Sequence, residues 1–128
     1  MKIYLAHSLT QAPEEFKAEM LELRNLLKQK YEVLEFKGLV AGTPQEVFQH
    51  DTQCVKDCDL LLAEVSYPAI GLGYEIATAL QLKKKILAVA KTEAKVSRLV
   101  LGVEAPGYRF DRYADISEIL SLLTNAYT

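Results

Sequence analysis

One acidic side chain, Glu75, occupies the position in this chain that is best suited to chemistry. The apolar run at 60–63 is typical of a buried parallel strand, and Gly71 and Gly73 follow it after a short polar stretch. Apolar residues at helical spacing resume at Ile76. We therefore predict Glu75 in the first turn of a helix, where backbone N–H groups keep a carboxylate ionised and the glycines let a ligand approach.

Two further side chains, Asp51 and Tyr4, could act together with Glu75. A carboxylate beside a second carboxylate and a tyrosine can attack an acetal-like carbon, with one group as nucleophile and another managing protons. The competing interpretation is structural, with Glu75 matched to the helix dipole and Asp51 solvated on its own helix. The chain lacks the dinucleotide fingerprint, the Walker A loop and the Gly-x-Ser-x-Gly elbow, which excludes those three site types.

Composition indicates one ordinary globular domain over residues 1–128. Half of the residues are hydrophobic, a quarter are charged, and the net charge is −2. This balance argues against binding a nucleic acid polymer, and the short apolar run at the start argues against a signal peptide or a membrane span. Cys54 and Cys58 are expected to be reduced core residues of a cytoplasmic protein, without a metal.

Strands alternate with helices along the whole chain. The predicted strands are 2–6, 31–36, 60–63, 86–90 and 108–110, and the predicted helices follow Pro13, Thr43, the glycines, Lys95 and Asp115. A Gly-containing loop is predicted at 37–43, with Thr43 as N-cap and Pro44 as the first residue of the next helix. This alternation predicts an α/β fold, a flavodoxin-like doubly wound parallel sheet of order 2-1-3-4-5 with helices on both faces.

In that strand order, the loops after strands one and three face each other across the crevice in which such sheets bind ligands. The order places Tyr4, Ser8 and Glu75 near one another, and Asp51 joins them only if its helix turns that face inward. Three neighbours are weaker candidates. His7 could contact a ligand or be merely exposed, Glu64 could line the pocket, and Tyr67 could stack on a nucleobase or pack on the surface.

Several segments together resemble a known family. The chain is similar to the nucleoside 2-deoxyribosyltransferase family, including its branch of 2′-deoxynucleoside 5′-monophosphate N-hydrolases. The matching segments are IYLAHS with Tyr4 and Ser8, HDTQCVKDCDLLLAEVS with Asp51, the turn Pro68-x-x-Gly71-x-Gly73-Tyr74-Glu75, VSRLVLG with Ser97, and residues 108–110. Of these, the central AEVSxPxxGxGYE motif is the most specific.

The resemblance implies a role for each site residue and requires no cofactor. Glu75 would be the nucleophile that takes C1′ of the deoxyribosyl group, Asp51 the acid/base partner, and Tyr4 the residue that positions both Glu75 and the sugar. The family's sites form at homodimer contacts, so Ser97 would reach into a neighbouring subunit's site. The implied substrate-binding residues are Ser8, His7, Ala69, Gly71, Gly73, Ser97, Tyr67 and Glu64.

The subclass depends on a few departures from the family pattern. Ala69 stands where the base-exchanging transferases have Asp and the nucleotide hydrolases have Ser, and no Arg lies near Thr10 as it does in the hydrolases. Ser8 and Ser97, however, follow the hydrolase pattern. We expect cleavage of the N-glycosidic bond of a 2′-deoxynucleoside or its 5′-monophosphate, slightly favouring hydrolysis of the monophosphate. Base exchange and catalytically silent nucleotide binding are the alternatives.

Overall fold

Five parallel strands form the centre of the protein, as seen in a computed structural model that describes residues 1–36 and 42–127. The strands are β1 (Lys2–His7), β2 (Glu32–Leu34), β3 (Leu60–Glu64), β4 (Lys85–Lys91) and β5 (Tyr108–Tyr113). Their order is β2-β1-β3-β4-β5, and every neighbouring pair is parallel. The predicted flavodoxin-like order is therefore confirmed.

Helices cover both faces of this sheet, and they divide its side chains into two cores. The helices are α1 (Glu14–Leu27), α2 (Pro44–Asp57), α3 (Ile70–Gln81), α4 (Arg98–Leu101) and α5 (Ile116–Tyr127). Because side chains alternate along a strand, Ile3 and Leu5 pack with α1 and α5, whereas Tyr4 and Ala6 pack with α2 and α3. This alternation points Tyr4 toward the helix that carries Glu75.

The start of α3 differs from the prediction. The helix begins at Ile70, so Gly71 and Gly73 lie inside its first turn and Glu75 lies in its second turn. Ala69 is the extended N-cap, with φ −158° and ψ 131°, and neither glycine has a positive φ. The prediction of a glycine turn ahead of the helix was wrong, because glycine at two helical positions interrupts the apolar spacing without breaking the helix.

Most other boundaries lie within three residues of their predicted positions. β5 continues to Tyr113, and α4 begins at Arg98 rather than at residue 95. The predicted loop at 37–43 falls mainly outside the described residues. Within the described ranges, no helix is both long enough and apolar enough to cross a membrane.

Local capping fixes the start of α2, the helix that carries Asp51. The Thr43 hydroxyl accepts a hydrogen bond from the Glu46 amide at 3.2 Å, and the Glu46 carboxylate accepts one from the Thr43 amide at 3.1 Å. Pro44 occupies the first helical position, as predicted. Cys54, further along α2, and Cys58, the C-cap of this helix, are buried free thiols, as expected of core cysteines.

Removing the cap of α2 should destabilise the protein without changing its fold. We expect Thr43→Ala to lower the free energy of unfolding by about 1 kcal/mol, because the Glu46 amide at the helix start loses the hydroxyl that accepts its hydrogen bond. Urea denaturation followed by circular dichroism measures this loss. Thr92→Ala is the matched control, since that exposed hydroxyl bonds only to the Glu93 side chain. Equal midpoints for Thr43→Ala and the unmodified chain would contradict the capping role.

Candidate active site

A cleft of about 540 Å³ opens at the carboxyl ends of β1 and β3, where the strand order reverses. The three predicted catalytic residues, Tyr4, Asp51 and Glu75, all line this cleft. They come from β1, α2 and α3, so only the tertiary structure brings them together. The inward face of α2 therefore carries Asp51, which was the condition for including it in the site.

A hydrogen bond joins Tyr4 to Glu75 inside the cleft. The Tyr4 hydroxyl donates to Oε2 of Glu75, and the Tyr4 side chain is fully buried. Burial and the adjacent Glu75 charge both raise the pKa of Tyr4 far above its ordinary value. The phenol therefore stays protonated at any physiological pH and acts as a fixed donor to the carboxylate.

The Glu75 carboxyl is held near the midpoint of its titration at neutral pH. Burial raises its pKa from 4.5 to about 7, the Tyr4 hydrogen bond opposes that rise, and the Asp51 charge adds to it. The predicted stabilisation by helix-start amides is absent, because in the second turn the backbone N–H groups already bond within the helix. A carboxyl with such a pKa can exchange between an ionised and a protonated form during a reaction.

Six of the eight predicted binding residues line one or both of two cavities, and Ser8 and Glu64 line neither. His7, Ala69 and Gly71 line the same cleft as Glu75. A second cavity of about 520 Å³ lies between α3 and α4, and Gly73, Ser97 and Tyr67 line it, together with Ala69. Pro68, Ala69 and Leu72 border both spaces, so the start of α3 forms the wall between them.

The two helical glycines leave open space at this wall. A Cβ built on Gly71 or Gly73 would meet no atom within 4 Å. Packing within the chain therefore does not require glycine at either position. The space beside Gly71 belongs to the first cleft and that beside Gly73 to the second, so both are available to a molecule that enters.

His7 is the last residue of β1 and is half-buried, and Ser8, which follows it, is fully buried. The Ser8 hydroxyl donates to the Pro68 carbonyl at 3.4 Å and thereby connects the β1 loop to the β3–α3 connection. The Ser8 carbonyl is 2.9 Å from Nδ1 of His7, and because a carbonyl only accepts, Nδ1 must carry the proton. Burial lowers the pKa of His7, so its Nε2 is an acceptor at neutral pH.

Glu64 lies elsewhere than predicted. Its side chain is fully buried and points to the α1/α5 face of the sheet, where Tyr113 and Ser66 donate hydrogen bonds to it. The expectation that Glu64 lines the cleft was therefore wrong. Alternation explains the error, because Ala63 precedes it and faces the α2/α3 core, which leaves Glu64 on the opposite face.

The sequence analysis did not identify Phe36, an aromatic residue that lines the cleft. Phe36 lines the space together with Leu9 and Val47, and its ring packs edge-on against His7 at a centroid distance of 5.4 Å. The Arg24 guanidinium lies over the same ring at 5.0 Å. Phe36 follows β2, next to β1 in the sheet, so the rule that ligands bind at strand ends could have identified it.

In the described part of the chain, no three His, Cys, Asp or Glu side chains are grouped as a metal site would require. Arrangement and fold together define a class: a doubly wound α/β protein with a carboxyl–tyrosine pair and a second carboxylate at its topological switch point.

Two curated relatives carry the same name. Over 83 residues the chain is 39% identical to the "Putative 2'-deoxynucleoside 5'-phosphate N-hydrolase 1" of Thermofilum pendens, a match that covers 63% of this chain and 58% of the relative. It is 28% identical over 125 residues to the protein of that name from Methanococcoides burtonii, covering 91% of this chain and 96% of the relative. The chain thus spans less than two thirds of the Thermofilum protein's length. No protein-family model matches.

Two solved structures share the fold over almost the whole chain. The CMP N-glycosidase of Clostridium botulinum superposes with a TM-score of 0.74 at 23% identity, covering 97% of this chain and 99% of that one. The 2-desoxiribosyltransferase of Leishmania mexicana gives a TM-score of 0.70 at 17% identity, covering 99% of both chains. These identities establish the fold alone. The names of the curated relatives confirm the resemblance to the N-hydrolase branch, and the solved structures share the predicted fold.

Burying Glu75 should cost the protein stability in a pH-dependent way. Its folded pKa of about 7 exceeds the unfolded value of 4.5, so the folded state binds more protons between these values and loses stability as the pH rises. We expect Glu75→Gln to be more stable than the unmodified chain by about 3 kcal/mol at pH 8, with the difference vanishing near pH 4.5.

Urea unfolding at pH 5, 6, 7 and 8 measures this difference. Glu22→Gln, at an exposed position on α1, is the control and should shift stability little at any of these pH values. A Glu75→Gln variant with the same stability difference at pH 5 and pH 8 would contradict the raised pKa.

Proposed function

We propose that this protein cleaves the N-glycosidic bond of 2′-deoxynucleosides, with hydrolysis of their 5′-monophosphates as the favoured reaction. The observation that carries this proposal is the half-buried Glu75 carboxyl, hydrogen-bonded by Tyr4 and coupled to the charge of Asp51 in a cleft of about 540 Å³. Such a cleft lies within the usual size range of small-ligand sites. The names of the curated relatives support the same reaction class.

In the first step, Glu75 acts as the nucleophile. An ionised Glu75 oxygen forms a bond to C1′ while the bond from C1′ to the base nitrogen breaks and its electron pair leaves with the base. Asp51 serves as the acid/base partner that delivers a proton to the departing base. A 2′-deoxy sugar lacks an electron-withdrawing 2′-hydroxyl, so its oxocarbenium-like centre forms readily and few catalytic groups suffice.

In the second step, water replaces Glu75 at C1′. Asp51, now a carboxylate, takes a proton from the water as its oxygen bonds to C1′, and the bond from C1′ to the Glu75 oxygen breaks. The products are free base and deoxyribose 5-phosphate, and Glu75 and Asp51 return to their starting forms. The Tyr4 hydroxyl orients Glu75 through both steps, since its raised pKa keeps it a donor.

Hydrolysis is favoured over base exchange by two features of the cleft, the residue at position 69 and the start of α3. Ala69 carries no group that could hold a sugar hydroxyl as a transferase Asp would, and it also lacks the hydroxyl with which a hydrolase Ser would hold a phosphate. The open space beside Gly71 and the uncapped start of α3 offer backbone N–H groups to an anion instead. Base exchange remains the alternative that the product assay below distinguishes.

We also propose that the protein acts as a homo-oligomer in which Ser97 of one subunit completes the site of another. Large apolar side chains are exposed on the helices around the two cavities: Ile70 is 96% exposed and Leu99 84%. On α2 and α3, Phe48 and Tyr74 are more than half exposed and pack against each other. Clustered exposed apolar residues of this kind are typical of an association surface.

Loss of the nucleophile should abolish base release. We expect Glu75→Ala to lower the rate by at least about 10³-fold, and Asp51→Asn by about 10²-fold, while the fold survives in both. The assay incubates deoxynucleosides and their monophosphates with the protein and separates bases from sugar products by chromatography. Glu22→Gln is the exposed-carboxyl control.

Product identity in the same assay separates the two reactions. Deoxyribose 5-phosphate without an acceptor base indicates hydrolysis, and a new nucleoside in the presence of an acceptor base indicates exchange. Full activity of Glu75→Ala would refute the nucleophile, and tight binding of a deoxynucleotide without any turnover by the unmodified chain would establish silent binding.

A hydroxyl restored at the start of α3 should strengthen a phosphate contact. We expect Ala69→Ser to tighten binding of a deoxynucleoside monophosphate about three- to tenfold and to leave binding of the nucleoside nearly unchanged, because a charge-assisted hydrogen bond forms only with the phosphate. Calorimetric titration of the two ligands gives the ratio. Ala69→Gly, which adds no hydroxyl, is the control, and equal effects of Ala69→Ser on both ligands would argue that no phosphate binds there.

A further inference from the structure

The buried carboxylate Glu64 lies on the face of the sheet opposite the cleft and has no part in the reaction proposed above. It is fully buried at the end of β3, and it does not border either cavity. Its partner Tyr113 belongs to the hydrophobic core formed with α1 and α5. A charged group is costly to bury, so its retention in this core requires partners that compensate it.

Three donors converge on the Glu64 carboxylate. Ser66 contributes its backbone amide at 2.6 Å and its hydroxyl at 2.9 Å, and the Tyr113 hydroxyl donates to Oε2. The Ser66 hydroxyl in turn accepts from the backbone amide of Lys91 at 2.8 Å. The network therefore ties together the carboxyl ends of β3, β4 and β5.

This network holds the connection that leads into α3. Ser66 is the second residue after β3, and the connection from 65 to 69 ends at Ala69, the N-cap of α3. Ala69 makes no side-chain capping hydrogen bond, so the helix has no cap of its own to fix its start. Outside the Glu64 network, the Ser8 hydroxyl also reaches this connection, through its hydrogen bond to the Pro68 carbonyl at 3.4 Å.

The direction of α3 decides where Glu75 lies. Glu75 is in the second turn of this helix, and its contact with Tyr4 depends on how the helix leaves β3. A displacement of the connection would move the carboxyl relative to Tyr4 and Asp51, and small misplacements of a reacting group lower catalytic rates steeply.

We propose that Glu64 is a positioning residue: through Ser66 and Tyr113 it holds the β3–α3 connection so that α3 delivers Glu75 to Tyr4. This inference rests on the proposed function for its catalytic consequence. Its structural part, the restraint of the helix start, stands independently and can be measured without any substrate.

Two variants each weaken the hydrogen-bond network with little change in side-chain shape. Glu64→Gln removes the charge, and Tyr113→Phe removes one donor while keeping the ring in the core. The control is Ile119→Val, which removes one buried methyl group from the same core on α5 and alters no hydrogen bond. Thermal unfolding first establishes that all three variants fold and how much stability each loses.

Kinetics then separates positioning from stability. We expect Glu64→Gln and Tyr113→Phe to lower kcat at least tenfold with KM changed less than threefold, and Ile119→Val to leave both constants unchanged. We expect amide exchange over residues 66–73, followed by mass spectrometry, to accelerate at least tenfold in the two network variants and not in the control.

Each outcome decides the inference. Unchanged kcat and unchanged exchange at 66–73 in Glu64→Gln and Tyr113→Phe overturn it, as does an equal fall of kcat in Ile119→Val. If the unmodified protein releases no base from any deoxynucleoside or monophosphate, the proposed function fails. In that case the exchange measurement alone decides whether Glu64 restrains the start of α3.

Discussion

The hydrogen bond from the buried Tyr4 hydroxyl to Glu75 is the interaction on which the site depends. It joins the first strand to the third helix across 71 residues of sequence, and it fixes one oxygen of the carboxyl while leaving the other to the cleft. Burial alone would push the Glu75 proton affinity higher, and the phenol opposes that effect. Nucleophile and orienting donor are thus held by rigid elements rather than by loops.

The proposed catalytic residues lie on one face of the sheet, and the proposed positioning residue Glu64 lies on the other. On its α2/α3 face, Tyr4 and Glu75 meet in the cleft, and the helix α2 brings Asp51 to the same space. On its α1/α5 face, Glu64 accepts hydrogen bonds from Ser66 and Tyr113. The two acids therefore occupy opposite environments: Glu75 borders the cleft, and Glu64 is enclosed by hydrogen-bond donors.

The fully buried Glu64 and the half-buried Glu75 each carry a cost in stability that an apolar core would avoid. An apolar side chain at either position would remove the desolvation penalty that raises both pKa values. Enzyme sites commonly retain such groups at the expense of stability, because a desolvated carboxyl with a tuned proton affinity is useful in catalysis. In the proposed reaction, Glu75 contributes to catalysis directly as the nucleophile. Glu64 contributes indirectly, by positioning the helix that carries Glu75.

The sequence by itself determined the strand order, the α2 cap at Thr43 and the neighbourhood of Tyr4 and Glu75, because hydrophobic period and turn residues are local signals. It misplaced the start of α3, since the glycines at 71 and 73 mimic a turn. Only the tertiary structure decided that Asp51 faces the cleft and that Glu64 faces away from it. Those outcomes depend on how a helix is rotated and which strand face is buried, which are set by packing between distant segments.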